Sequence, residues 1–214
     1  MATPKMQPFW WFLPPPSPAC WRNSCENCDD WTKTAALVCS IDTTDYKEGS
    51  GCIVWQTSPL KPADGQEATI PVGTCDKYFG FWVQPTMPNQ NSYAALSWVR
   101  SDGYLIGFEV SNLDYAPVGR WIRGRIYLNG ALEEQTLIRF TDGQWYWLEI
   151  TYDGPPNASD YHWYVNGELK WTYSTAPAFG DPQTFNLNTL GNYYLGTVKL
   201  DFIRRATKLE YPPT

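Results

Sequence analysis

Alternation along residues 121–128, Trp-Ile-Arg-Gly-Arg-Ile-Tyr-Leu, separates two kinds of chemistry. Trp121, Arg123, Arg125 and Tyr127 fall on one side and Ile122, Gly124, Ile126 and Leu128 on the other, because successive strand side chains point to opposite faces. The aliphatic set belongs in a core. The aromatic and guanidinium set suits a sugar or an acidic partner, since rings stack against apolar sugar faces while Arg donates to hydroxyls or carboxylates, and makes these four residues the glycan-binding candidates. The competing use of this face is packing against another sheet, strand or subunit, with the arginines paired to Glu109 or Glu149. Carboxylates from different strands, such as Glu109 and Glu149, could also meet to do glycosidic bond chemistry. The lone His162, between Tyr161 and Trp163, reads as a polar surface residue rather than a catalytic one. No Gly-x-Ser-x-Gly, phosphate loop or His-rich metal motif occurs.

All six cysteines, Cys20, Cys25, Cys28, Cys39, Cys52 and Cys75, lie in the first 75 residues. An even, clustered set predicts disulfides that staple the N-terminal region to the body, with the pairing left open. Cys20, Cys25, Cys28 and Cys39 could instead hold zinc as four thiolates. That reading is weaker because zinc ribbons usually carry two Cys-x-x-Cys pairs and only Cys25–Cys28 has that spacing.

The elements that must position these residues are strands. Asp or Asn followed by Gly punctuates the chain at 64–65, 102–103, 129–130, 142–143, 153–154 and 166–167, supplying the positive φ of tight turns. Between them lie β-rich runs at 35–41, 51–56, 79–84, 94–100, 104–110, 121–128, 145–152, 161–165 and 193–203. With 16 Gly and 18 Pro and no helical stripe, the chain reads as all-β, a sandwich of antiparallel sheets over residues 35–207 followed by a short tail, 208–214. Its 12 Trp, 14 Tyr and 9 Phe exclude disorder. A net charge of −6 argues against a nucleic-acid surface, and no apolar run is long enough to insert in a membrane. Residues 1–34 read as an extended arm, with six prolines in the first 18 positions and the apolar group Phe9, Trp10, Trp11 and Phe12. Those aromatics pack on their own domain or dock into a neighbouring subunit. The opening stretch lacks the continuous apolar core of a secretion signal.

Residues 77–85, Lys-Tyr-Phe-Gly-Phe-Trp-Val-Gln-Pro, resemble a strand of the concanavalin A-like, laminin-G-like jelly rolls. Residues 141–154 are similar to that family's Gly-x-Trp, strand, Tyr-Asp-Gly block, 161–170 to its Val-Asn-Gly hairpin, and 194–203 to its closing Asp-x-Ile strand. Residues 45–51 look like its opening turn. The resemblance implies a two-sheet antiparallel jelly-roll sandwich whose concave sheet or rim loops hold a ligand, and it admits calcium, with Asp201 at a recurrent acidic position that also serves to fix a turn. Glycosidases of this superfamily carry Glu-x-Asp-x-x-Glu on one strand. The nearest stretch here, Glu149-Ile-Thr-Tyr-Asp153, has Thr151 at its centre, so a protein without catalytic activity is expected. The leading expectation is a structural or recognition protein of a large assembly, such as a bacteriophage virion surface protein (capsid decoration or fibre). It would be a homo-oligomer anchored by its arm to other subunits, displayed on the virion surface or extracellular after release. The alternative is a stand-alone carbohydrate-binding module recognising cell-surface glycans, and behind it a glycoside hydrolase or lyase of the same fold.

Overall fold

The computed structural model describes residues 21–57, 66–73, 78–89, 91–113, 118–128, 131–153, 159–176, 182–189 and 196–206. Phe9, Trp10, Trp11, Phe12, Cys20 and Cys75 lie outside them. In chain order the strands begin with β1 (Trp21–Asn23), β2 (Thr32–Lys33), β3 (Leu37–Asp42), β4 (Cys52–Thr57) and β5 (Glu67–Pro71). They continue with β6 (Tyr78–Thr86), β7 (Ser92–Val99), β8 (Leu105–Leu113), β9 (Gly119–Leu128) and β10 (Ala131–Arg139). The last are β11 (Tyr146–Asp153), β12 (Ser159–Val165), β13 (Glu168–Ala176), β14 (Thr184–Asn188) and β15 (Thr197–Ala206).

All pairings are antiparallel. One sheet of eight strands runs β13-β12-β11-β6-β15-β4-β3, with β1 added on β15, and a sheet of seven runs β10-β9-β8-β7-β14-β5-β2. The all-β sandwich read from the sequence is the observed architecture. Within the described residues, 21–33 are woven into it: β1 joins the first sheet and β2 the second, so the body begins well before residue 35.

Period two decides which residues enter the core. Ile106, Phe108 and Val110 of β8 and Ile122 and Ile126 of β9 face inward from one sheet. Phe79, Phe81 and Val83 of β6 meet them from the other, with Leu148, Ile150, Tyr161 and Trp163. Phe81 sits edge-on to Phe108 with ring centroids 6.0 Å apart, and to Phe185 of β14 at 5.2 Å. The hairpin joining β12 and β13 turns at Asn166-Gly167, with φ of 52° and 80°, the left-handed pair a two-residue hairpin requires.

One cross-core contact fixes β8 and β9. Trp163 of β12 donates its indole Nε1–H to the carbonyl of Gly107 on β8 at 2.8 Å. Its ring stacks on Trp171 of β13 at 4.1 Å, and both indoles lie over Gly124 of β9, where even a Cβ would stand 2.8 Å from Trp171 Cζ3 and 3.1 Å from Trp163 Cδ1. Gly124 is the residue between Arg123 and Arg125. The close approach of backbone and rings therefore sets the position of the strand that carries both guanidinium groups.

Cys28 and Cys39 form a disulfide, while Cys25 and Cys52 are buried free thiols. This corrects the zinc alternative: with Cys28 and Cys39 bonded to each other, the four-thiolate knot does not exist. Burial pushes the Cys52 thiol up to about 12 and raises that of Cys25, so both behave as inert apolar side chains. Among the described residues no group of three or more His, Cys, Asp or Glu is placed to hold a metal ion. Asp201 fixes a turn: its Oδ2 accepts from the backbone N–H of Lys47 at 2.7 Å and of Glu48 at 2.9 Å. The same turn is tied down by Asp45, which accepts from Trp145 Nε1, Gln84 Nε2 and Lys199 Nζ. Lys199, Trp145 and Gln84 together hold the Asp45 carboxyl at about 2. Among the described residues no helix is long and apolar enough to cross a membrane.

Candidate functional site

The outer face of the seven-stranded sheet is polar and yet largely buried. Its cross-strand rows follow from the register. One runs Glu134, Arg125, Gly107, Ser97, Asn186, Thr69 from β10 to β5. Beside it lie Arg123, Glu109, Ala95 and Asn188, and beyond them Trp121, Ser111 and Tyr93. The outward-facing rows of an antiparallel sheet are ordinarily solvated. Here Glu109 is 1% exposed, Ser111 0%, Tyr93 4% and Arg125 6%. Buried charged groups persist only where partners compensate the lost hydration.

The compensation is incomplete. Glu109 Oε1 accepts from Ser111 Oγ at 2.6 Å and lies 3.8 Å from Arg123 Nη1. The same Nη1 is 3.6 Å from Glu134 Oε2, so two carboxyl groups from β8 and β10 bracket one guanidinium of β9. Arg125 Nε stands 3.0 Å from Glu134 Oε1, near enough for an ion pair but out of hydrogen-bond alignment. Arg123 Nε and Nη2 and Arg125 Nε are buried without a hydrogen-bond partner among the described residues. Burial raises the Glu109 carboxyl above its ordinary range, against the Ser111 hydrogen bond, and burial likewise raises the Tyr93 hydroxyl. Glu109 is thus biased toward the protonated acid, as a proton donor must be.

Next to this cluster a cavity of about 200 Å³ opens between β9, β8, β7 and β14. Ser97, Asn186, Asn188 and Arg125 line it together with the apolar Val99 and Leu105. Gly107 keeps the floor low: a Cβ there would stand 2.8 Å from Ser97 Oγ.

All four residues of the aromatic and guanidinium set lie on this face. Trp121 is half-buried with the Arg139 guanidinium over its ring at 4.5 Å, and Tyr127 lies across from Leu105 and Leu132. The arginines are packed among carboxylates rather than displayed. Glu109 does not meet Glu149, because Glu149 points outward from the other sheet, where Trp147 Nε1 donates to its Oε2 at 3.2 Å. His162 is on that sheet too, its Nδ1 3.0 Å from Thr172 Oγ1. Ser97, Ser111, Tyr93, Glu134 and Asn186 escaped the sequence reading. Alternation applied to 93–99 and 105–111 as it was to 121–127 marks the first three.

Compared by sequence, the chain matches no family model and none of the curated proteins. Compared by structure, it matches an endo-β-1,4-glucuronan lyase from the fungus Trichoderma reesei at a TM-score of 0.62 and 12% identity, over 91% of this chain and 98% of that one. It also matches the Bacillus licheniformis β-glucanase at 0.55 and 15%, over 87% and 97%. The fold is the concanavalin A-like jelly roll. The Trypanosoma cruzi (T. cruzi) calreticulin globular domain shares it too, at 0.56 and 11% identity over 90% and 89%, so the jelly roll by itself does not set a chemistry. Neither the laminin-G refinement nor a virion origin has a counterpart among these jelly rolls. The expectation of a protein without catalytic activity is overturned: this jelly roll is a scaffold for a lyase and a glucanase. A broken acid motif on a single strand was insufficient ground for it, since β8 and β10 bring two carboxyls together from separate strands.

Proposed function

We propose that the chain is a carbohydrate-active domain that binds a glycan on the outer face of its seven-stranded sheet and cleaves it, with Glu109 as the proton donor. The observation that carries this reading is the pair Glu109 and Glu134, 3.8 and 3.6 Å from the same Arg123 nitrogen. Their oxygens therefore lie no more than about 7.4 Å apart, a bound that admits the roughly 5–5.5 Å between the paired carboxyls of retaining glycoside hydrolases. Burial gives Glu109 the protonated role, and Glu134, at the sheet's margin, supplies the second carboxyl. Trp121 offers a ring for stacking at the margin of the face. The Cys28–Cys39 disulfide suits an oxidising, extracellular setting.

A glycan-binding module without turnover is the second reading, favoured by one feature: the Arg123 guanidinium stands between the two carboxyls, where a scissile bond would have to enter. The assembly role rests on the arm, residues 1–34, whose apolar group Phe9, Trp10, Trp11 and Phe12 lies outside the described residues, and it ranks below both. The test is release of reducing ends from a panel of neutral and acidic polysaccharides. The wild-type chain releases them and Glu109→Gln, still folded, does not. A folded wild type that binds a glycan and releases nothing selects the module reading.

A further inference from the structure

The outer face of the seven-stranded sheet is polar, but the cavity sunk into it is not. Ser97, Asn186 and Arg125 line it beside Ala95, Val99 and Leu105. Ser97 Oγ, Asn186 Oδ1 and Arg125 Nε are buried beneath its surface, and Asn186 Nδ2 is taken up by Glu67 Oε1 at 2.6 Å. Ser97 and Asn186 therefore meet a bound molecule chiefly with carbon, and the accessible lining is mostly apolar. The register gives the cavity a direction. Ala95 at one end is opposite Glu109, and Val99 at the other is opposite Leu105. Between them Gly107, opposite Ser97, has no side chain to fill the floor.

We infer that this cavity takes an aromatic group carried by the glycan, so that the ligand of the proposed face is an aryl-substituted sugar. The inference rests on that proposed function and names its substrate class. Size selects the group. An apolar cavity of about 150 Å³ holds a benzene molecule, so one of about 200 Å³ admits a phenyl ring with its linking atoms. An acetyl group would leave most of the space empty and forfeit its contacts. A bare sugar ring would bring hydroxyls against carbon walls, where each loses water without gaining a partner. Arg125 selects among apolar groups, because a guanidinium attracts an aromatic face. It does so already with Tyr93, whose ring centroid lies 5.7 Å from Arg125 Cζ. Position fixes the linkage. Directly opposed residues of an antiparallel pair have Cβ atoms about 4.5–5.5 Å apart, and Ala95 is opposite Glu109. The aromatic group therefore belongs to the sugar at or beside the bond that Glu109 protonates.

The experiment titrates the full chain, isotope-labelled at its valine and leucine methyl groups, with benzyl alcohol and with glycerol as a polar control. Benzyl alcohol alone is expected to give ring-current shifts at Val99 and Leu105. Val99→Phe fills the cavity from its half-buried margin and should abolish the Leu105 shift while melting within about 2 °C of wild type. Ala95→Val, filling from the other end, should do the same to both shifts. Calorimetry then compares phenyl glucoside with methyl glucoside, and benzoylglucose with acetylglucose. At least one aromatic member is expected to bind about tenfold more tightly than its small counterpart, which tells an aromatic aglycone from an aromatic ester. Absent shifts at Val99 and Leu105, shifts that survive both substitutions, or equal affinities within both pairs overturn the inference. Release of reducing ends, read separately, would then still support the glycan face. Benzyl alcohol seated at Val99 and Leu105 with no glycoside or sugar ester bound would support an aromatic site and remove the proposed function.

Discussion

Replacing Gly124 by alanine places a methyl group where two indole rings already stand. Its Cβ would lie 2.8 Å from Trp171 Cζ3 and 3.1 Å from Trp163 Cδ1, and closer still to Trp171 Cε3. Ordinary contact begins at about 3.4 Å, so Trp171 must move or β9 must bow toward the outer face. Overpacking of this kind costs roughly 1–3 kcal/mol, and alanine recovers about 0.5–1 kcal/mol of backbone entropy in a strand. Contacts this short against a rigid indole put the cost at the upper end, so the net loss is about 2–2.5 kcal/mol, which for a chain of this size lowers the melting temperature by roughly 4–10 °C. The partner variant Trp171→Leu removes the obstructing ring. Combined with Gly124→Ala it should be less destabilising than the two effects added, by about 1 kcal/mol or more. Thermal denaturation of the four proteins measures this, and glycan affinity measured alongside reports the displaced arginines. A Gly124→Ala protein melting within about 1 °C of wild type, or a strictly additive double variant, would refute the claim that the rings press on β9.

Three further outcomes follow from the same geometry. Burial raises the Glu109 carboxyl, so the folded protein binds a proton more readily than the unfolded chain. Wild-type stability therefore falls as pH rises from the unfolded value of about 4.3 through the folded one. Glu109→Gln does not titrate, so its stability relative to wild type should grow across that window in denaturant unfolding, and parallel profiles would contradict the burial argument. The Cys28–Cys39 bridge closes a loop with a sequence separation of 11, and reducing it should cost about 2–3 kcal/mol. A Cys28→Ala/Cys39→Ala variant should melt lower than wild type by that amount, and reductant should lower the wild-type melting temperature by more than the variant's; an equal reductant effect on both would contradict the contribution assigned to this bridge. Trp121→Ala should lose about 1 kcal/mol, chiefly its cation–π contact with Arg139, and weaken glycan binding at least about tenfold. A loss above about 3 kcal/mol would make Trp121 a core residue instead.

Much of the sandwich was legible because its strands alternate. The run at 121–128 showed which residues turn outward, and the Asn166-Gly167 turn marked a hairpin. Other strands were missed for physical reasons. β10 carries two adjacent glutamates and a register shift between Thr136 and Ile138, which break the period, while β5 and β14 have only five residues each. The site was legible strand by strand but not across strands. Nothing local places Asn186 beside Ser97, or Glu134 beside Arg125: both pairs arise from register between separate segments. Glu109 and Glu149 look alike in sequence, and only the assignment of β8 and β11 to different sheets puts them on opposite outer faces.

The most direct test of the central claim is a crystal structure of the full chain with a bound oligosaccharide. The sugar is expected on the outer face of the seven-stranded sheet, with a glycosidic oxygen within hydrogen-bond reach of Glu109 and a ring beside Ser97. A sugar seated on the outer face of the eight-stranded sheet, or at the turn held by Asp201, would contradict it.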